Sequence, residues 1–342
     1  MRRFIVAVML LLAIAFVILS LSKLQSTVET LQRGDWRFLG LALALEIIWL
    51  YNLAVTFRAL YRVVGLAENS LHLVLVVAAA NFVNVVAPSA GIGGIAVFLD
   101  DGKKRNHSSG RVTVVGTLAI LFDYAAFLCV LTLGFIVLIR RNNLNAGEVT
   151  AAVILLAIAL TLALLVYLGY HSAELLGKAL AWIARLVNSI VRPFIRRDYL
   201  NEAHAYKYAN EFSEGLTEIK GQPKKLIWPF LLALNNKALM ICILALTFLA
   251  FKTPYSIGTL VGGFSIAYLF WIVSPTPAGV GVVEGALTIG LNSLRVPWSA
   301  AAIITLTFRA ITFWFPLGVG AVAFRFLQKQ YMKASQDKAG SV

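Results

Sequence analysis

Five ionisable side chains, Glu46, Asp123, Lys237, Glu284 and Arg309, fall within otherwise apolar stretches of this 342-residue chain. A charge at the centre of an isolated apolar helix costs roughly 2.5–3.5 kcal/mol on insertion scales, so each of the five needs a partner, water or a ligand. Three acids and two bases together suit a headgroup bearing both a phosphate and an amine. Arg309 would hold the phosphate, and Glu284, Asp123 or Glu46 would neutralise the amine. Structural ion pairing is the competing reading of Arg309 and Asp123. Lys237 and Glu46 could equally stabilise a neighbouring helix end.

Backbone supplies the second part of that chemistry. Ala90-Gly91-Ile92-Gly93 recurs as Ala278-Gly279-Val280-Gly281, each just after a proline-containing turn. Helices restarting at about Ser89 and Ala278 would present unpaired N–H groups and a partial positive charge to an anion. Gly91, Gly93, Gly94, Gly279 and Gly281 carry no Cβ to hold a headgroup away from that backbone. Glycine-x-glycine by itself reads as close helix packing. The prolines, the duplication and the nearby charges turn the reading toward binding. Glu284 lies about a turn and a half into the second restarted helix.

Other chemistry lacks its residues. His72, His107, His171 and His204 sit at the edges of apolar runs or in loops without metal-ligand spacing. Cys129 and Cys242 lie inside apolar runs and offer no disulfide framework. No nucleophile elbow, P-loop or dinucleotide fingerprint occurs in its strand-to-helix context. The expectation is no cofactor, no metal and no catalytic role. Asp100 and Asp101, among Lys103, Lys104 and Arg105, read as a solvated charge cluster.

The elements that must position these groups are membrane helices. Hydrophobic residues make up 60% and charged residues 13% of the chain, against roughly 45–50% and 25% in soluble domains. A net charge of +14 then follows membrane topology rather than nucleic acid. Apolar runs at 4–22, 38–58, 112–139, 149–170, 226–251 and 299–326 each approach the 20 residues or so that a spanning helix needs. Residues 4–22 read as an uncleaved anchor, since no cleavage site follows. Two further stretches, 71–99 and 257–294, are broken near their centres at Pro88-Ser89-Ala90-Gly91 and at Pro275-Thr276-Pro277-Ala278-Gly279. The arm from Ser89 to Leu99 is too short to cross, so the first stretch reads as a re-entrant hairpin. The second reads likewise by similarity, with two short spans left open.

With both termini cytoplasmic and both hairpins returning to their own side, only Lys23, Arg33, Arg37, Arg140, Arg141, Lys252 and Arg295 lie outside. Drawing 71–99 as one crossing would expel the most basic loop, 171–225. Within that loop, Leu176, Leu180, Ile183, Val187 and Ile190 form one helical stripe and Lys178, Arg185 and Arg192 another. The pattern fits an interfacial helix on an anionic leaflet, or a helix packed on the cytoplasmic ends of the bundle.

The contexts of the two breaks repeat as well. Each hairpin follows a span with polar residues at mid-depth (Glu46 and Asn52; Asn235, Asn236 and Lys237) and precedes a long span with one charge near its middle, Asp123 or Arg309. In the topology above, the first hairpin enters from the cytoplasm and the second from outside, so the two units read as inverted copies, the arrangement of many transporters. The expected architecture is all-α and polytopic, one membrane domain over 1–342. It comprises an N-terminal anchor (1–35), inverted repeat 1 (36–139), a linking helix with the amphipathic loop (149–225), inverted repeat 2 (226–326) and a cytoplasmic tail (327–342).

The segment Pro275-Thr276-Pro277-Ala278-Gly279-Val280-Gly281-Val282-Val283-Glu284-Gly285-Ala286-Leu287, with Arg309 in Thr307-Phe308-Arg309-Ala310-Ile311-Thr312-Phe313-Trp314, resembles the signature of the lysylphosphatidylglycerol synthase membrane-domain family. That family includes the flippase half of the multiple peptide resistance factor. The first half is similar through Asn81-Phe82-Val83-Asn84-Val85-Val86-Ala87-Pro88 and Asp123, so the resemblance covers nearly the whole chain. It departs where many members carry Glu-Arg ahead of the aspartate; Ala119 and Ile120 stand there, and that arginine's headgroup contact is not carried over. The resemblance implies a flippase-like protein of a bacterial or archaeal plasma membrane that moves a phospholipid or lipid-linked headgroup between leaflets. The synthase reaction of the larger relatives would be absent. Its partners would be that lipid substrate and the surrounding membrane lipids, with no nucleic acid, and a homodimer is left open. A secondary transporter of a small anionic solute and a headgroup-modifying membrane enzyme are the two other classes the residues admit.

Overall fold

The computed structural model describes residues 34–86, 92–140, 146–195, 202–220, 223–274 and 276–339. All regular structure among them is helical. Twelve helices follow one another: α1 (Trp36–Val63), α2 (Ser70–Val86), α3 (Ile92–Lys104), α4 (Ser109–Arg140), α5 (Ala146–His171), α6 (Ala173–Ile195), α7 (Glu202–Lys220), α8 (Ile227–Ala250), α9 (Ile257–Val273), α10 (Val282–Ser293), α11 (Trp298–Arg309) and α12 (Phe315–Ala339). A π-helical turn, Ala310–Trp314, joins the last two into one continuous rod.

Five segments are long and apolar enough to cross a bilayer, Trp36–Val63, Ser109–Arg140, Glu148–His171, Lys224–Ala250 and Trp298–Met332. They coincide with five of the six expected spans; the anchor at 4–22 lies outside the described residues. The apolar helices α2 and α9, at 17 residues each, rise only about 25 Å and pack on the shorter α3 and α10.

Side-chain caps set the starts of two helices, α1 and α9. Asp35 accepts a hydrogen bond from the Arg37 amide at 3.0 Å and caps α1, and Ser256 does the same for Thr259 at 3.1 Å and caps α9. α1 lies antiparallel on α8. The Asp35 amide donates to Ala250 O at 2.9 Å at one end. Further along, Asn52 Nδ2 donates to Leu232 O at 3.0 Å and to Asn236 Oδ1 at 2.7 Å. The asparagines expected at mid-depth in the two leading helices, Asn52, Asn235 and Asn236, thus bind each other.

Two large apolar cores result among the described residues, with a small third cluster at Leu138, Ile266 and Leu294. One gathers α2, α7, the first half of α4, the second half of α1 and the region around Leu327 of α12. The other gathers α8 to α11 with the opposite halves of α1 and α4. α1 and α4 therefore run through both and hold them together.

Three expectations change. The second helix of the first broken stretch does not stop at Leu99 but continues through Asp100 and Asp101 to Lys104. The second break restarts its helix at Val282, not Ala278. Ala278 (φ 51°), Gly279 (φ 72°) and Gly281 (φ 85°) are left-handed, which a right-handed helix cannot include. The 171–225 loop holds two helices. α6 turns Leu176, Ala181 and Ala184 inward and packs on α7, which packs on α4. A Cβ at Gly110 would stand 2.0 Å from Glu211 O, so only glycine admits α7 there. The loop helix is thus packed on its neighbours, and Leu175, Trp182 and Leu186 stay exposed on its far side.

Candidate functional site

Proline and glycine end α9 at Val273, and the chain turns through Pro277–Gly279 before α10 begins. Gly279 is obligatory at that turn: its φ is +72° and an added Cβ would meet Val283 Cγ2 at 2.5 Å. Glu284 folds back over the restart, where its Oε2 accepts from the Gly281 amide at 2.6 Å. One of the amides expected to be bare is therefore occupied. Arg309 completes the arrangement, donating Nε–H to Glu284 Oε1 at 3.0 Å and Nη2–H to Ala278 O at 3.1 Å. Its guanidinium lies 4.4 Å from the centroid of the Phe313 ring. Arg309 is 6% exposed and immediately precedes the π turn, a helix defect that recurs at functional sites. Gly281 and Gly285, one turn apart, are both exposed, and a Cβ at Gly285 would meet nothing within 4 Å. The restart thus turns bare backbone to the outside on one face and a buried guanidinium to the inside on the other.

A second charged group lies one turn back along α9. Lys237 Nζ of α8 donates to Asp123 Oδ1 of α4 at 2.5 Å and to the Tyr268 hydroxyl at 2.5 Å. Tyr268 of α9 donates in turn to Asp123 Oδ2. Lys237 also stands 3.8 Å from the centroid of the Tyr268 ring, and Phe127 and Phe264 close around that ring. The two groups are connected, since Tyr268 packs on Trp271 at 5.2 Å between centroids and Trp271 borders Gly279.

Of the expected site residues, Arg309, Glu284, Ala278 and Gly281 come together, with Gly279 in the same turn, and Lys237 joins Asp123. Glu46 hydrogen-bonds to neither set. It is fully buried in α1, and neither of its oxygens has a hydrogen-bond partner among the described residues. Ser89 and Gly91 lie outside the described residues, and Gly93 is half-buried in the first turn of α3. Asn84 spans the first break, accepting from the Gly94 amide at 2.6 Å. α2, which leads into that break, touches the Pro277–Gly279 turn of the other.

Asp101 corrects the reading of a solvated cluster. Asp100 is exposed and pairs with Lys104 at 2.6 Å, but Asp101 is 2% exposed. It lies 2.9 Å from His72 Nε2 and accepts from the Tyr331 hydroxyl. One carboxylate thereby ties α3 to α2 and to α12. Burial alone would raise its pKa; the hydrogen bonds from His72 and Tyr331 and the charges of His72 and Arg105 outweigh that and hold it below the ordinary aspartate value. Asp101→Asn is expected to lower stability by about 1.5–3 kcal/mol, the usual worth of hydrogen bonds to a charged group, read as a melting shift in detergent. A depressed folded pKa stabilises above the ordinary aspartate value of about 4. The gap between wild type and variant should therefore shrink as the pH falls through the lowered value.

The side chains in these arrangements that the sequence did not point to are Tyr268, Tyr331 and Phe313. Tyr268 and Tyr331 carried one signal, a hydroxyl in a helix that needs a partner when buried.

A profile of the lysylphosphatidylglycerol synthase TM region matches residues 4–320. A UPF0104 membrane protein of Methanothermobacter thermautotrophicus is 23% identical over 315 residues, 91% of this chain and 91% of that protein.

Proposed function

The chain belongs to the family of the lysylphosphatidylglycerol synthase TM region, and we propose that it moves a phospholipid or lipid-linked headgroup between membrane leaflets without chemically altering it. The observation that carries this reading is the buried Arg309 clamped to Glu284 and Ala278 O at the helix restart. A guanidinium held by one carboxylate and one carbonyl can exchange those partners for a phosphate of matching bidentate geometry. Glu284, released, can then meet an amine on the same headgroup. Glu46 is a further buried acid with no partner among the described residues, a place for a cationic group once water or substrate reaches it.

Element order supports two inverted units. A long helix, a 17-residue apolar helix, a short helix and a long helix occur first as α1 to α4 and again as α8, α9, α10 and the α11–α12 rod. In this reading α2–α3 and α9–α10 are re-entrant hairpins entering from opposite faces, so that both restarts lie near mid-depth. The termini are cytoplasmic and the membrane is the plasma membrane. Alternating access would shift Arg309 between Glu284 and the headgroup while the acyl tails stay in lipid, sparing the charge from hydrocarbon.

Purified protein in liposomes carrying fluorescent phospholipids, half of them protected from an external quencher, tests this. Headgroup-dependent loss of protection is the expected result. Protection equal to that of empty liposomes for every lipid headgroup, with uptake of a soluble anion instead, would replace lipid transport by solute transport.

A further inference from the structure

Between α2 and α12 a groove of about 700 Å³ opens sideways on the helix surface, lined by apolar side chains that include Val74, Phe315, Val319, Val322 and Phe326. Two glycines on α12 shape it. A Cβ at Gly320 would stand 2.4 Å from Ala78 O, so this residue lets the helices touch, whereas a Cβ at Gly318 would meet nothing within 4 Å and leaves the groove open. On α12, Phe315, Gly318, Val322 and Phe326 follow one another at helical spacing. The next position on that stripe is Lys329, with Arg325 beside it, and both are exposed.

From Phe315 to Phe326 the helix rises about 16 Å, close to half of a hydrocarbon core of about 30 Å and so to the depth of one leaflet's tails. One end of the groove is at Trp314, the last residue of the π turn that follows Arg309. The other end is the one where His72, Asp101 and Tyr331 tie α2 to α12. The groove is therefore apolar along a length that matches one leaflet and cationic at its Tyr331 end, while its other end stops at Trp314, five residues along the chain from Arg309.

We infer that this groove holds one acyl chain of a glycerophospholipid from the leaflet on the Tyr331 side, with the lipid phosphate against Lys329 and Arg325. Charge complementarity at the mouth selects this occupant over a second copy of the chain. A two-fold contact about the membrane normal would set Arg325 and Lys329 at the same depth as their own counterparts, like charge facing like. Service of the groove as the approach to Arg309 rests on the transport reading above; retention of the lipid does not.

The test is phospholipid retained per chain by the full-length protein after purification in mild detergent, measured by mass spectrometry. Wild type is expected to keep a phospholipid that Gly318→Leu, which fills open space, reduces about tenfold, equivalent to about 1.4 kcal/mol of binding, without lowering the melting temperature. Val322→Trp, at a position 71% exposed, should do the same from the groove's outer wall. Arg325→Gln with Lys329→Gln should release the lipid at lower detergent. Unchanged lipid in both groove-filling variants would overturn the inference. So would a wild-type dimer that Gly318→Leu converts to monomer, since the groove would then belong to a second copy. Retained lipid in a wild type that passes no lipid between leaflets would support the groove and sink the transport reading.

Discussion

Arg309→Ala is expected to bring lipid transfer in liposomes down to the level of empty vesicles while the protein still inserts and purifies. Two separable effects underlie that result. The first is stability: Glu284, whose side chain is 13% exposed, loses its cation, and breaking a buried pair from one side costs about 3–5 kcal/mol. The second is the loss of the only described guanidinium at the restart able to take a phosphate. Arg309→Met with Glu284→Gln separates them. Removing both charges while keeping the side-chain volume and an acceptor for the Gly281 amide should recover most of the melting temperature, because replacing a buried pair by uncharged groups of similar volume is close to neutral, yet transfer should stay at background. Arg309→Lys should also fail, because a single ammonium cannot reproduce the fork that reaches Glu284 Oε1 and Ala278 O together. A doubly substituted protein that transfers lipid at the wild-type rate would reduce Arg309 to a structural partner of Glu284.

The sequence carried much of the fold and less of the site, for reasons visible residue by residue. Spanning helices were legible because length and apolarity are local properties, and the second break was legible because Pro277 and Gly279 end a helix whatever surrounds them. Arg309 and Glu284, only 25 positions apart, could be placed in one neighbourhood by the restart between them. Lys237 and Asp123 are 114 apart; their pairing depends on which helices adjoin in space, which hydropathy does not encode. Asp101 was hidden by its neighbours. Successive helical residues point about 100° apart, so Asp100 faces water with Lys104 while Asp101 turns inward to Tyr331, 230 positions away. The left-handed backbone of Ala278 was equally out of reach, since alanine gives no sign of a positive φ; only the hydrogen bond from Arg309 to its carbonyl explains what holds it. The π turn after Arg309 has no sequence signature that we can identify.

The Lys237–Asp123–Tyr268 group should respond asymmetrically to its two single substitutions. Asp123→Leu leaves Lys237, 3% exposed, as a buried ammonium without a counter-charge among the described residues, held by the Tyr268 hydroxyl and ring; Lys237→Met leaves Asp123, 30% exposed, with Tyr268 and access to water. A buried charge stripped of its partner costs about 3–5 kcal/mol, and partial hydration relieves that cost, so Asp123→Leu should be the more damaging in a detergent melt. The double variant should return to within about 1 kcal/mol of wild type, because neither charge is left behind. A double-mutant cycle on melting temperatures checks this, and equal single losses that simply add would mean the two side chains do not interact. Lipid transfer then decides what the pair is for. If Asp123 is the acid that meets an amine on the passing headgroup, the restored double variant still transfers amine-bearing lipids poorly but not lipids without an amine. A pair present only to knit α4 to α8 would leave both classes of lipid moving alike.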